Sequence, residues 1–135
     1  MLHALIGTIV SAFESPDESQ RHIAINGPDI ALSGSVMTSF ALLLHEFATN
    51  AAKFGALSTP TGRVDVRCSE AGDRFVLQWT ERGGPRIDGP AGAEGFGSLL
   101  ARASVERQLG GEIVRDWQPE GLTIRLSLAL DRLAR

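Results

Sequence analysis

Apolar residues recur at helical spacing at the start of the chain, at Leu2, Leu5, Ile6, Ile9, Val10 and Phe13. This predicts a helix over 1–13 that begins with no capping residue of its own. A polar turn around Pro16 follows. After it, 21–26 and 29–32 read as two short strands on either side of Asn26-Gly27-Pro28, either a hairpin or a strand with an edge piece. Ser33 then stands where an N-cap belongs, and Val36, Phe40, Leu43, Phe47, Ala51 and Phe54 recur every three or four residues until Gly55, which predicts a helix over 35–54. Strict alternation returns in 63–69, with Val64, Val66 and Cys68 on one face, and in 74–80, with Phe75, Leu77 and Trp79 on one face. The turn Glu70-Ala71-Gly72-Asp73 joins them as an antiparallel hairpin.

From Gly83 to Gly97 no period can be read, and glycines at 83, 84, 89, 92, 95 and 97 with prolines at 85 and 90 predict a long mobile loop. Helical spacing resumes over 98–109 and ends at Gly110-Gly111, and strands are predicted over 112–117 and 122–130 around Gln118-Pro119-Glu120-Gly121. Helices interleaved with antiparallel hairpins point to an α+β fold, a two-layer α/β sandwich whose mixed sheet carries its helices on one face.

A chain of 135 residues supports one core and excludes two full domains. Hydrophobic residues make up 43% and charged residues 21%, enough apolar material to fold and too little charge excess for a disordered tail. The net charge of −3 and the lack of a basic stripe argue against nucleic acid as a partner. No apolar run approaches the ~20 residues of a membrane span, so no direct membrane contact is expected. The single cysteine, Cys68, precludes an internal disulfide or a cysteine metal cluster and fits a cytoplasmic setting. Of 13 basic residues only Lys53 is lysine, a compact point charge in a chain that otherwise uses arginine.

Three features could carry chemistry. At about 100° per residue, Glu46, Asn50 and Lys53 fall within an arc of about 60° on the central helix, beside its apolar stripe. A carboxylate, an amide and an ammonium in a row can orient a nucleophile, hold a divalent cation through oxygen and balance phosphate charge. The plain alternative is the polar face of an amphipathic helix. Gly95-Phe96-Gly97-Ser98 precedes a helix, where uncovered backbone N–H groups form an anion site, although glycine-rich surface loops commonly bind nothing. Trp79 and Glu81, two apart, share the inner face of their strand, which puts a carboxylate in need of donors at the mouth of the loop. His45-Glu46 opens like a zinc-protease helix, but Thr49 stands where the second histidine belongs, and neither a Walker loop nor a complete Rossmann fingerprint is present. His3 and His22 lie on apolar segments and read as structural, and Trp79 and Trp117 read as core.

Taken in order, residues 44–58 (LHEFATNAAKFGALS) resemble the N box of HWE-family bacterial sensor histidine kinases, Trp79-Thr80-Glu81-Arg82-Gly83-Gly84-Pro85 resembles the Trp-x-Glu motif of that family, and Gly95-Phe96-Gly97-Ser98 resembles its second glycine box. The resemblance runs from about 21 to 130. It implies the Bergerat (GHKL) fold, in which Mg²⁺ and ATP are bound between helices and sheet beneath a lid formed here by 86–94. It further implies that Asn50 ligates Mg²⁺ and that Lys53 meets phosphate. Glu46, with its neighbour His45, belongs to the catalytic face that meets the attacking imidazole. Phe54, Glu81, Gly83, Gly84, Gly95, Phe96 and Gly97 line the nucleotide, with Glu81 taking the place of the acid that binds the adenine amino group. Phe47 departs from the usual leucine, a swap within the apolar face, and the register of Thr123 sets it away from the apolar side of its strand.

The family carries its phosphoacceptor histidine in an upstream motif resembling His-Arg-x-x-Asn. No such motif occurs here, since His3 is followed by Ala4-Leu5-Ile6. Residues 1–135 therefore read as a single ATP-binding catalytic domain, with 1–14 as the remnant of a helix linking to an upstream dimerisation and phosphoacceptor domain. The expected partners are that domain and, through the parent kinase, a response regulator. Autophosphorylation is not expected from this chain alone. Two other activities fit the same fold: a nucleotide-binding regulatory module without phosphotransfer, and an anti-sigma-type serine kinase.

Overall fold

The computed structural model describes residues 2–11, 23–59, 61–84, 103, 106–107 and 110–133. In chain order these form helix α1 (Leu2–Ser11), strand β1 (Ile23–Asn26), helix α2 (Gly34–Phe54), a 3-10 turn (Ala56–Ser58), strands β2 (Arg63–Ala71), β3 (Arg74–Arg82), β4 (Glu112–Gln118) and β5 (Gly121–Ala129), and a one-turn helix α3 (Leu130–Leu133). Residues 103, 106 and 107 are helical, as expected for 98–109, whose remaining positions lie outside the described residues.

The sheet runs β1-β2-β3-β5-β4. β1 pairs parallel with β2 and the other pairings are antiparallel, so the sheet is mixed. Alternation decides which face is apolar. Val64, Val66 and Cys68 of β2, Phe75, Leu77 and Trp79 of β3, and Leu122, Ile124, Leu126 and Leu128 of β5 are buried together against Val36, Phe40, Leu43, Leu44, Phe47, Ala48 and Ala51 of α2, with Leu2 and Ile6 of α1 completing the core. Full burial of each large side chain contributes roughly 1.5–3 kcal/mol. α2 is the long arm of this core. Ser33 caps it by accepting from the Val36 backbone N–H at 3.4 Å, and the Gly55 N–H closes its end on the Ala51 carbonyl at 3.0 Å.

Three expectations are corrected. Residues 29–32 form no strand, and β1 finds its partner in β2 instead. The backbone around Asp29 serves α1: the Leu2 N–H donates to the Ile30 carbonyl at 2.9 Å, and the His3 N–H donates to Asp29 Oδ1 at 2.8 Å. The first helix thus has a cap after all, supplied from 26 residues downstream. The last strand ends at Ala129 rather than 130, because Leu130 turns into α3 and donates its N–H to the Asp73 carbonyl across the hairpin turn.

Candidate functional site

α2 and β3 run in the same sense across the core, so their C-terminal ends meet. About two helical turns before the end of α2, the Phe47 ring lies 5.7 Å from the Trp79 ring, tilted by 60°. Past the end of the helix, the Ala56 N–H donates to Glu81 Oε1 at 3.1 Å. The predicted inner-face pair is present: Trp79 and Glu81 point to the same side, and the Trp79 indole Nε1–H donates to Glu81 Oε2 at 2.9 Å. The donors this carboxylate requires therefore come from the chain itself. Glu81 is 2% exposed. Burial pushes its carboxyl pKa above the ordinary value, and the two hydrogen bonds oppose that shift.

The loops around this carboxylate are packed backbone to backbone. A Cβ on Gly84 would lie 2.8 Å from the Ala56 Cα and 2.9 Å from its nitrogen, and one on Gly62 would run into the Ala56 carbonyl. Gly83 adopts φ +75°, which a side chain would strain, and its carbonyl accepts hydroxyls from Thr61 at 2.8 Å and Thr59 at 3.3 Å. The chain leaving β3 is thus held against the segment after α2 where the glycine-rich stretch begins, by contacts that no local pattern announced.

On α2, Asn50 Nδ2 donates to Glu46 Oε1 at 3.3 Å, and both residues are half-buried. Lys53 is exposed in the last turn, where a cation also suits the negative end of the helix dipole. His45 is exposed on the adjoining strip, with its Nδ1 3.4 Å from the Thr49 hydroxyl. Phe54 is the last residue of α2. Gly95, Phe96 and Gly97, with the expected lid 86–94, lie outside the described residues. The structure therefore groups Glu46 with Asn50 on the helix rim and Glu81 with Gly83 and Gly84 at the strand end, and sets His45 beside Thr49. Thr123 pairs with Thr80 and Asp116, away from the apolar face as its register required.

Arg115 was not singled out from the sequence. It sits on the inner face of β4 between the half-buried Ile113 and Trp117, in a cross-strand row with Ile124, Trp79 and Val66. Its guanidinium carbon lies 5.8 Å from the centre of the Phe47 ring. The readable signal was a charged residue at an inward position of the alternating segment 112–118. Among the described residues, no group of three or more His, Cys, Asp or Glu side chains forms a metal site, and no helix is long and apolar enough to cross a membrane.

No family model matches the chain. It is 39% identical over 105 residues to a blue-light-activated histidine kinase of Rhizobium johnstonii, which covers 76% of this chain and 30% of the relative. To blue-light-activated histidine kinase 1 of Erythrobacter litoralis it is 36% identical over 108 residues, covering 78% of this chain and 30% of the relative. The chain thus spans about a third of the length of these relatives. In fold it matches the histidine kinase domain of the Erythrobacter litoralis EL346 blue-light activated histidine kinase with a TM-score of 0.77 at 18% identity, over 98% of this chain and 64% of that one. It matches the catalytic domain of the histidine kinase ThkA with a TM-score of 0.72 at 14% identity, over 99% and 95%. Kinship in sequence and likeness in fold agree with the motifs, and the chain belongs to the histidine kinases, with the α+β fold of histidine kinase catalytic domains.

Proposed function

We propose that this chain binds Mg·ATP and delivers the γ-phosphoryl group to a histidine on a separate dimerisation domain, as the catalytic domain of a cytoplasmic two-component sensor kinase that signals to a response regulator. The observation that carries the reading is the rim of α2, where Glu46 holds the Asn50 amide at 3.3 Å one turn before Lys53. Phosphoryl transfer asks a protein chiefly for positioning and charge neutralisation, and this row offers an amide oxygen, a carboxylate and a cation.

The donor set fits the metal. Mg²⁺ favours one or two protein oxygens, with substrate phosphates and waters completing its octahedron, and a single asparagine on a helix rim suits that habit. When bound, Mg·ATP supplies the transferable phosphoryl group together with most of its charge neutralisation. Asn50 holds the metal through its amide oxygen. Lys53 balances charge on the phosphates from the exposed side of the helix. Glu46 faces the incoming imidazole and accepts or orients its proton. Glu81 fits an adenine amino group in its chemistry, because a carboxylate has about four acceptor sites and two are engaged by Ala56 and Trp79. Residues 1–14 link the domain to its phosphoacceptor partner, and Gly95, Phe96 and Gly97 complete the phosphate side.

The test is calorimetric titration with Mg·ATP followed by transfer of labelled phosphate to a purified acceptor domain. Asn50→Ala is expected to lose Mg²⁺-dependent nucleotide affinity while keeping its fold, and Glu46→Gln to bind nucleotide and fail in transfer. Unchanged affinity in Asn50→Ala removes the metal assignment. Nucleotide binding without transfer by the native chain favours the regulatory-module reading, and labelling of a serine on a partner favours the serine-kinase reading.

A further inference from the structure

We infer that Glu46 is the positioning residue for Asn50: its carboxylate sets which end of the amide faces outward, and so determines whether Asn50 offers oxygen or nitrogen to a divalent cation. This inference deepens the Mg·ATP reading and rests on it.

The two ends of an asparagine side chain are nearly identical in shape and opposite in chemistry. Oδ1 is an acceptor that can ligate a metal, whereas Nδ2 carries two hydrogens and repels one. An amide on a helix rim can rotate by half a turn about its last bond, so something must select the orientation. Nδ2 donates to Glu46 Oε1 at 3.3 Å across one helical turn. An ionised carboxylate only accepts, so the flipped amide would set Oδ1 against a carboxylate oxygen, exchanging a hydrogen bond for repulsion. The spacing of four residues on α2 makes this contact local, within one helical turn. The contact turns the amide oxygen away from Glu46, toward the side from which a cation would be held. Hydrogen bonds of this kind to metal-ligating side chains orient the ligand and raise its affinity.

Glu46→Ala and Glu46→Gln separate this role from others. Alanine removes the acceptor. Glutamine keeps an acceptor oxygen, loses the charge, and can also pair with the flipped amide, so the competent orientation falls to about half and affinity by about twofold. The primary measurement is nucleotide affinity with and without Mg²⁺. In Glu46→Ala the amide loses its anchor as well as its selected end, so the Mg²⁺-dependent gain is expected to fall about 10-fold or more, with metal-free affinity unchanged, while Glu46→Gln, which still holds the side chain in place, stays within a few-fold of the native chain. A second readout needs no ligand: in ¹⁵N-labelled protein the Asn50 side-chain amide resonances should keep their hydrogen-bonded shift in Glu46→Gln and lose it in Glu46→Ala. Equal losses of affinity in the two variants would overturn positioning in favour of charge alone. A full Mg²⁺-dependent gain in Glu46→Ala would overturn the inference while leaving the Mg·ATP reading intact. Absence of that gain in the native chain would overturn the Mg·ATP reading, and with it the inference that rests on it.

Discussion

The indole Nε1–H of Trp79 donates to Glu81 Oε2 at 2.9 Å from the same face of the same strand, two residues away. With the Ala56 N–H on Oε1, each carboxylate oxygen of this buried side chain has its own donor, one from the strand and one from the segment that follows α2. The Trp-x-Glu motif therefore acts as a brace between sheet and helix end, in addition to the nucleotide role proposed for Glu81.

Trp79→Phe keeps most of the ring contact with Phe47 and removes the donor. Loss of one partner from a buried acceptor costs about 1–3 kcal/mol. The expected result is a lower urea midpoint with an unchanged slope, together with weaker nucleotide binding. Native stability in Trp79→Phe would show that the hydrogen bond contributes nothing to the brace.

Burial sets the pH dependence of the same group. The folded-state pKa of Glu81 lies above the ordinary 4.5 of a glutamate, so just above 4.5 the folded state binds more protons than the unfolded one. Stability linked to this group is then fully present below the unfolded pKa and lost as pH rises through the folded one. The difference in unfolding free energy between the native chain and Glu81→Gln should decline as pH rises from 4.5. Urea midpoints taken in half-unit steps check the sign, and a difference that grows with pH would mean that the hydrogen bonds outweigh burial.

What could be read along the chain was what repeats along it. The 3.6-residue period marked α2 to within a residue of its N-terminus, and alternation marked β2 and β3 and put Trp79 and Glu81 on one face. Hydrogen bonds between distant segments escaped. Ile30 and Leu32 alternate like a strand, yet the Ile30 carbonyl accepts from the start of α1, whose cap Asp29 is 26 residues from His3. Ala56 meets Glu81 across 25 positions, and Thr61 meets Gly83 across 22. Glu46 and Asn50 lie four apart on one helix, so their contact was available from spacing alone.

Two glycine substitutions should move stability in opposite directions. At Gly84 a Cβ would meet only backbone, the Ala56 Cα at 2.8 Å, the Ala56 nitrogen at 2.9 Å and the Gly55 carbonyl carbon at 3.0 Å, so no side chain can rotate away. Gly84→Ala should cost about 1–3 kcal/mol by overpacking and should disturb the Ala56 donor to Glu81. Gly7, inside α1, has nothing within 4 Å of the same position, and Gly7→Ala should add about 0.5–1 kcal/mol through helix propensity. Thermal unfolding of both variants checks the pair, and a shift of the same sign in both would reject the packing account of Gly84.

The Gly83 carbonyl accepts from the hydroxyls of Thr61 and Thr59, which ties the exit of β3 to the segment after α2 at the point where the glycine-rich stretch begins. Replacing the hydroxyl by a methyl of nearly equal size isolates the hydrogen bond. Thr61 has the shorter contact and should matter more. Thr61→Val should weaken local closure by about 1 kcal/mol, which corresponds to roughly fivefold faster amide exchange for the backbone around Gly83 and Gly84. Thr59→Val should do less, and the double variant should exceed either, because the carbonyl then has neither hydroxyl. Exchange in α2 around Phe40 and Leu43, far from this tie, should stay as it is in the native chain. Uniformly faster exchange across the domain would mean that the two threonines stabilise the whole fold and do not act as a local tie.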